Sequence, residues 1–404
     1  MEREKEMTWH RVLGQQRVKG ILLSALNADR LPHAYLFYGN EGVGKDAAAL
    51  ELARVLHCEK LWGDAHPDPS FLEMPEACGV CHSCLRMNSL QHADVKLIVP
   101  LPVGKAERSD DPPLAKLTEA EVKIIQEQLR LKGENPYHRV VIPKANIIKI
   151  NSVREIRRES SLTTSDKRKR VFVLSHADEM GEDAANTILK TLEEPPGNTM
   201  LILTTAHRDA LLPTIVSRCQ NVHFDPLTED EIRAALIERN NVEPQQASLV
   251  ARLADGSFVR AIELLQNDIS QERQGVLGFI RHALESDVVS LTEDIERIAA
   301  PKDREGIVRF LTLLLIWFRD AFVVSHGGAI INIDQEEDLI RFVQKFPGAQ
   351  LLQVLRDIER AISLVDRNVY ITLILLQLSV KLRANILSQE APALVGRETR
   401  PAPR

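Results

Sequence analysis

The chain has 404 residues, 44% apolar and 27% charged, with 51 Lys and Arg against 57 Asp and Glu for a formal charge of -6. That length can supply two or three domains with cores of their own, and the composition excludes collagenous and low-complexity classes. The acidic balance excludes adhesion to nucleic acid over the whole surface, though not through a local basic patch.

Residues 15–28 carry an amphipathic helical pattern, followed by the Leu31-Pro32 break and the apolar run AYLFYG, which reads as a buried strand. Gly39 to Asp46 is GNEGVGKD, and helical spacing resumes from Asp46 to His57. Strand, glycine loop and helix thus occur in the order a phosphate loop requires, because backbone N–H groups and a helix N-terminus bind the anion. The motif matches GxxxxGK but ends in Asp46, where a Ser or Thr would hold magnesium. A carboxylate beside the phosphates adds a repulsion of about 4 kcal/mol at ~4 Å and an effective dielectric of ~20. Nucleotide binding through Gly39, Gly42, Gly44, Lys45 and Asp46 is therefore expected to be weak or lost, and efficient hydrolysis is not expected.

Four of the five cysteines fall between Cys58 and Cys84, with Cys78, Cys81 and Cys84 in CxxCxxC spacing. In a reducing compartment such a cluster suits a metal better than disulfides. Four thiolates would close a tetrahedral zinc site with no open position for catalysis; His57 and His82 are alternative ligands, and an iron–sulfur cluster would use the same cysteines. Cys219 is expected to be a small packed residue.

Short apolar runs at Val95 to Val99, Ile147 to Ile150, Val171 to Leu174 and Met200 to Thr204 alternate with helical stretches, so residues 1–225 read as α/β with a parallel sheet. Between them, Val103 to Pro143 is polar, with PP and KGENP breakers and one helical stretch near Leu117 to Leu131, and is expected to be a surface insertion. In a hydrolysing site one strand ends in Asp-Glu for magnesium and water. In RVFVLSHADEM those positions hold Ser175 and His176. Asp178 and Glu179 come three residues late, either in the first turn of the next helix, where carboxylates favour the dipole, or as a slipped catalytic pair.

After Asp225-Pro226 the pattern turns helical: a small unit over residues 226–268, longer helices over 269–390, and a Pro/Ala/Arg tail at 391–404 expected to be disordered. LTLLLIWF, Leu311 to Phe318, and LILL, Leu373 to Leu376, are apolar on every side and are expected to be buried, most in a core and a minority in an interface. No run approaches the ~18 apolar residues of a membrane span, and MEREKEMTWH lacks an apolar signal core, so a cytoplasmic location with no membrane partner is expected.

AANTILKTLEEPPGNTMLILTTAHRDALLPTIVSRCQ, Ala184 to Gln220, resembles the clamp loader branch of the AAA+ ATPases. VLGQQRVKGILLSAL, HAYLFYG and RAISLVDRNVYITLILLQLSVKL extend the resemblance over most of the chain. It implies an AAA+, P-loop NTPase-like core with a zinc module at 58–84, a helical lid and an all-α collar through which five subunits form a ring. It implies structural zinc on Cys58, Cys78, Cys81 and Cys84. Arg218 in Ser217-Arg218-Cys219 would be an arginine finger acting in trans on ATP held by a neighbour; the plain alternative is a surface arginine at a helix end. Thr204 or Thr205 matches the family's first sensor or is an ordinary strand residue. In GSFVRA the second-sensor arginine is displaced to Arg260, with Val259 in its place.

The function so implied is that of a non-hydrolysing clamp loader subunit of bacterial DNA polymerase III. It would work beside gamma/tau-like ATPase and delta-like subunits to load the sliding clamp on primed DNA, within the holoenzyme and without activity of its own. An active gamma/tau-like ATPase is the alternative within the family, and a zinc-dependent nucleic-acid-binding module the alternative outside it.

Overall fold

The structure, a computed structural model, describes residues 9–62, 75–160, 169–196, 198–266, 269–285, 287–300, 304–328, 330–366 and 369–387. The tail expected at 391–404 lies outside the described residues. The chain divides into two units, Met1–Ile262 and Glu263–Arg404.

The first unit is built on a parallel five-stranded sheet of order β2-β3-β4-β1-β5, formed by β1 Ala34–Tyr38, β2 Val95–Ile98, β3 Arg170–Leu174, β4 Thr199–Thr205 and β5 Gln220–His223. Every residue of β4 is buried, as are four of the five in β1 and in β3. A strand covered on both faces gains from a continuous apolar run rather than from alternation. Ala34 stands opposite Leu201 and Tyr38 opposite Thr205, while Leu174 of β3 stands opposite Leu203. This register brings the carboxyl ends of β1, β3 and β4 to one edge, where open α/β sheets bind ligands.

Helices α1 Gln16–Asn27, α2 Lys45–His57, α3 Glu59–Trp62, α4 His82–Asn88, α5 Glu119–Glu134, α6 Ile150–Ser160, α7 Glu182–Glu193 and α8 Pro213–Arg218 accompany the sheet. Leu36, Phe172, Leu201 and Leu203 of the sheet pack with Ile156 of α6, Ile188 and Leu192 of α7 and Ile215 of α8. Each such side chain contributes about 1.5–3 kcal/mol by leaving water. Then come α9 Glu229–Asn240, α10 Pro244–Leu253 and α11 Phe258–Leu265, α9 opening with a capping box of Thr228 and Glu231.

One local expectation fails, and one strand went unread. Ile147 to Ile150 is not a strand: Ile147 and Ile148 make isolated bridges to Leu101 and Met180, and α6 starts at Ile150, where the helical spacing of INSVREIRR prevails. The edge strand β5 carried no apolar signal, because only Val222 of QNVH is buried.

The insertion is a surface element only in part. Its helix α5 begins in an exposed capping box of Thr118 and Glu121 and buries Ile125 against Val99, Leu101 and Ile142. Lys149, on the core side, donates to the carbonyls of Pro102 and Pro113 and to the Glu107 carboxylate, which ties down the base of the insertion. The far end is buried, with Lys132 and Gly133 closing α5 and Tyr137 following them.

In the second unit, α12 Ile269–Glu285, α13 Val288–Ala299, α14 Arg304–Ser325, α15 Glu336–Lys345, α16 Leu351–Asp366 and α17 Ile371–Leu387 are all helical, as expected. Leu311, Leu314 and Phe318 of α14 are fully buried, and Trp317, Phe318 and Phe342 meet edge to face. The buried Asp320 carboxylate accepts from the backbone N–H groups of Ile331 and Asn332 and from the Asn332 amide, stapling the loop after α14. In LILL, Ile374 and Leu375 are buried but Leu373 and Leu376 are 57% and 48% exposed, so the second run is buried on one side only, whereas the first is buried except at the half-buried Thr312 and Leu315. Among the described residues no helix is long and apolar enough to cross a membrane.

Candidate functional site

The glycine loop joins β1 to α2, with Gly44 as the N-cap at φ +102°, a left-handed conformation that favours glycine. A Cβ at Gly44 would lie 2.6 Å from the Tyr137 hydroxyl. The Lys45 ammonium turns back on the loop and donates to the carbonyls of Gly39 at 2.7 Å and Asn40 at 2.6 Å. Burial pulls its pKa down, against the opposing fields of Asp46, Glu41 and Asp178. The Gly42 carbonyl accepts from the Phe258 N–H at 3.1 Å.

Asp46 is the centre of a closed network. Its carboxylate accepts from the Ser175 hydroxyl at 2.8 Å and the Thr204 hydroxyl at 2.6 Å, and pairs with the Lys132 ammonium at 2.9 Å. Burial opposes ionisation of Asp46, but Lys132, His176 and the Thr204 hydrogen bond outweigh it and hold the carboxyl well below the usual range. In a hydrolysing site the loop contributes the hydroxyl and the strand end the carboxylate. Here the two have changed places, Asp46 on the loop and Ser175 at the strand end. The exchange was visible in the sequence as two separate departures; their contact was not. Lys132, in a segment without a motif, carried no signal.

The cavity beside this network measures about 70 Å³, lined by Lys45, Asp46, Lys132, His138, Arg139 and Val259 among others. Ligand pockets of ordinary size run to ~300–1,000 Å³. Val259 faces this cavity, while Arg260 Nη1 lies 3.8 Å from Asp255. Asp178 and Glu179 do not begin the next helix. They form a 3-10 turn ahead of α7, whose own first turn holds Glu182 and Asp183, and Asp178 accepts from the Thr205 hydroxyl at 2.6 Å.

The cysteines converge as their spacing suggested. The Sγ atoms of Cys58, Cys78, Cys81 and Cys84 all lie within 4.8 Å of one another, with Cys78 and Cys84 at 4.0 Å. Four sulfurs at ~2.3 Å from a tetrahedral zinc would stand ~3.8 Å apart, so the donor set fits that ion. Backbone N–H groups of Cys78, Cys81 and Cys84 donate to the sulfurs of Cys58, Cys78 and Cys81 at 3.3–3.4 Å, which favours thiolates. Cys58 is further pulled toward the thiolate by a hydrogen bond with Cys84. His82 is exposed at the start of α4, and His57 packs on the His92 ring at 4.6 Å. His57, His92 and Asp94 form a second grouping, but Nδ1 of His92 accepts from the Asp94 N–H and Nε2 lies 3.0 Å from the Ser83 hydroxyl, so neither ring nitrogen of His92 is open to a metal.

Arg218 is the last residue of α8, with a side chain 36% exposed. Its Nη2 lies 2.7 Å from Glu193 Oε1, and Nη1 donates to the Thr214 carbonyl at 3.1 Å. The next residue, Cys219, packs in the core as expected, and burial pushes its thiol up to about 12.

The family model for DNA polymerase III, delta subunit, matches residues 14–228, which hold the sheet, the glycine loop, the cysteines, the insertion and Arg218. The DNA polymerase III subunit delta' of Bacillus subtilis (strain 168) is 30% identical over 317 residues, 78% of this chain and 79% of that protein. The chain belongs to the DNA polymerase III delta-prime family. The delta' subunit of Escherichia coli (strain K12) aligns at 25% identity over 91% of this chain and 94% of its own length. Subunit tau of the same organism is 26% identical over 66% of this chain, which spans only 34% of tau.

Proposed function

We propose that this delta-prime family member is a clamp loader subunit that hydrolyses no nucleotide itself and presents Arg218 to ATP bound by a neighbouring gamma/tau-like ATPase subunit. The observation that carries the first half is the closed network at Asp46, in which Ser175, Thr204 and Lys132 use up the carboxylate where a magnesium ion and phosphates would be needed. The second half is supported by the place of Arg218, half-exposed at a helix end and held by a surface carboxylate and one backbone carbonyl of its own helix. An arginine brought to a transferring phosphoryl group neutralises charge that develops in the transition state, worth about 10³–10⁵ in rate where it completes a site.

Cys58, Cys78, Cys81 and Cys84 would hold a structural zinc ion, whose chemistry is to cross-link α2 to α4 without an open coordination position. Residues 1–225 would serve as the AAA+ core, 226–268 as the lid and 269–390 as the collar. Leu373, Leu376 and Val380, exposed along one line of α17, are the collar residues best suited to contact another subunit. The assembly, in the cytoplasm, would include a delta-like subunit and act on the sliding clamp and primed DNA. The test is co-expression with the host's ATPase subunits and assay of the ring. Arg218→Ala is expected to lower ATP turnover with assembly intact; normal turnover would overturn the assignment.

The 26% identity to tau supports a second reading, an active ATPase using Asp178 and Glu179. DNA-stimulated hydrolysis by the isolated chain that is lost in Lys45→Ala would favour it.

A further inference from the structure

We infer that the insertion is a built-in occupant of the phosphate loop: Lys132 supplies the positive charge that a nucleotide's metal would otherwise bring, and Tyr137 covers the loop's last glycine. The chain is closed to nucleotide by its own inserted segment. This builds on the reading of the loop as non-hydrolysing and is independent of the role given to Arg218.

The loop end of α2 and the strand ends bring together the Asp46 carboxylate and two hydroxyls, Ser175 and Thr204, each donating to one of its oxygens. A carboxylate buried in this way needs a cation. Lys132 provides it at 2.9 Å from a side chain only 8% exposed, so the carboxylate has a counter-charge from within the chain. Magnesium nucleotide would have to expel the ammonium and leave either Asp46 or Lys132 buried without its partner.

The approach of Lys132 is fixed by its surroundings. Arg11 donates to the carbonyls of Gly133 at 2.6 Å and Glu134 at 2.8 Å, satisfying groups that the end of α5 leaves open. At Gly133 the helix passes so close to α4 that a Cβ would lie 2.3 Å from the Asn88 carbonyl. Just beyond α5, the Tyr137 hydroxyl accepts from the Leu13 N–H at 2.8 Å, and its ring meets Phe258 edge-on at 5.1 Å. The N-terminal segment, α4 and the first turn of α11 therefore hold the end of the insertion over the loop. A strut with anchors on three elements is a permanent feature of the folded unit.

The experiment is magnesium-dependent ATP binding by the full-length, zinc-loaded chain, followed by calorimetry. Asp46→Ser combined with Lys132→Ala removes the charge pair as a unit and restores the loop hydroxyl. It is expected to bind MgATP at least tenfold more tightly than the unaltered chain, with magnesium required. Asp46→Ser alone keeps the insertion in place and is expected to gain less than threefold.

No gain in the double variant, an equal gain in Asp46→Ser alone, or tight MgATP binding by the unaltered chain would each overturn the inference. A double variant that gains MgATP binding upholds the occupant role whether or not it also turns ATP over, whereas ATP hydrolysis by the unaltered chain would overturn the non-hydrolysing reading. Should the double variant not fold, Lys132→Gln keeps the length of the side chain. Amide exchange over residues 39–44 is then expected to rise at least tenfold, and unchanged exchange there would overturn the inference.

Discussion

Arg218 Nη2 lies 2.7 Å from Glu193 Oε1, so the arginine proposed to serve a neighbouring ATP is held within its own chain by the end of α7. Both side chains are well exposed, and a pair of that kind is worth only about 0–1 kcal/mol. A phosphate with several charges can break it. Glu193→Ala is expected to leave ring turnover equal to the unaltered ring or up to about twofold higher, since by the same figure little holds the arginine back. Arg218→Lys is expected to stay as low as Arg218→Ala, because an ammonium lacks the planar fork that reaches two oxygens. Steady-state ATP hydrolysis by reconstituted rings separates these outcomes.

Lys132→Ala is expected to destabilise the first unit by about 3–5 kcal/mol, the cost typical of stripping one partner from a buried ion pair. The pH dependence has a definite sign. Asp46 has a folded-state pKa below its ordinary 3.8, so its contribution is fully present above that value and is lost as pH falls toward the folded pKa. The gap in stability between the unaltered chain and Lys132→Ala should be full at neutral pH and narrow in acid. Urea unfolding at neutral pH and on either side of the ordinary carboxylate range would measure it.

Zinc should be present at about one ion per chain and absent from Cys84→Ser. Removing it with a chelator is expected to loosen α3, α4 and the end of α2, because metal binding there is part of the folding free energy. The helices of the second unit should keep their far-ultraviolet circular dichroism. Metal analysis with limited proteolysis between residues 58 and 84 checks both statements.

On α17, Leu373→Asp, Leu376→Asp and Val380→Asp alter exposed positions and should change monomer stability by less than about 0.5 kcal/mol while weakening ring assembly. Leu375→Ala on the same helix empties a fully buried site and should cost about 2–5 kcal/mol in the monomer. Thermal melts and size-exclusion chromatography of the mixed subunits distinguish the two effects. Assembly unaffected by any of the three Asp variants would remove α17 from the interface.

Features that depend on neighbours in sequence were legible before the fold was known. Apolar runs located β1, β3 and β4 because buried parallel strands need them, and CxxCxxC located three thiolates within one turn and a helix start. The failures have equally local causes. QNVH has one inward side chain, too weak a pattern to reveal β5, and Ile147 to Ile150 is apolar enough for a strand but continues into a stronger helical period. At Leu373 to Leu376, four apolar residues in a row do not state which side of the helix has a neighbour.

The sequence by itself determined that a phosphate loop was present and altered, since Asp46 departs from a pattern whose chemistry is set by adjacent residues. Only the tertiary structure decided what answers that alteration. Ser175 is 129 positions from Asp46 in sequence and 2.8 Å away in space, and Lys132 arrives from an insertion with no motif of its own. Contacts of that kind follow from the order of strands in the sheet and from the anchoring of α5 by Arg11 and Gly133, and neither leaves a local imprint on the chain.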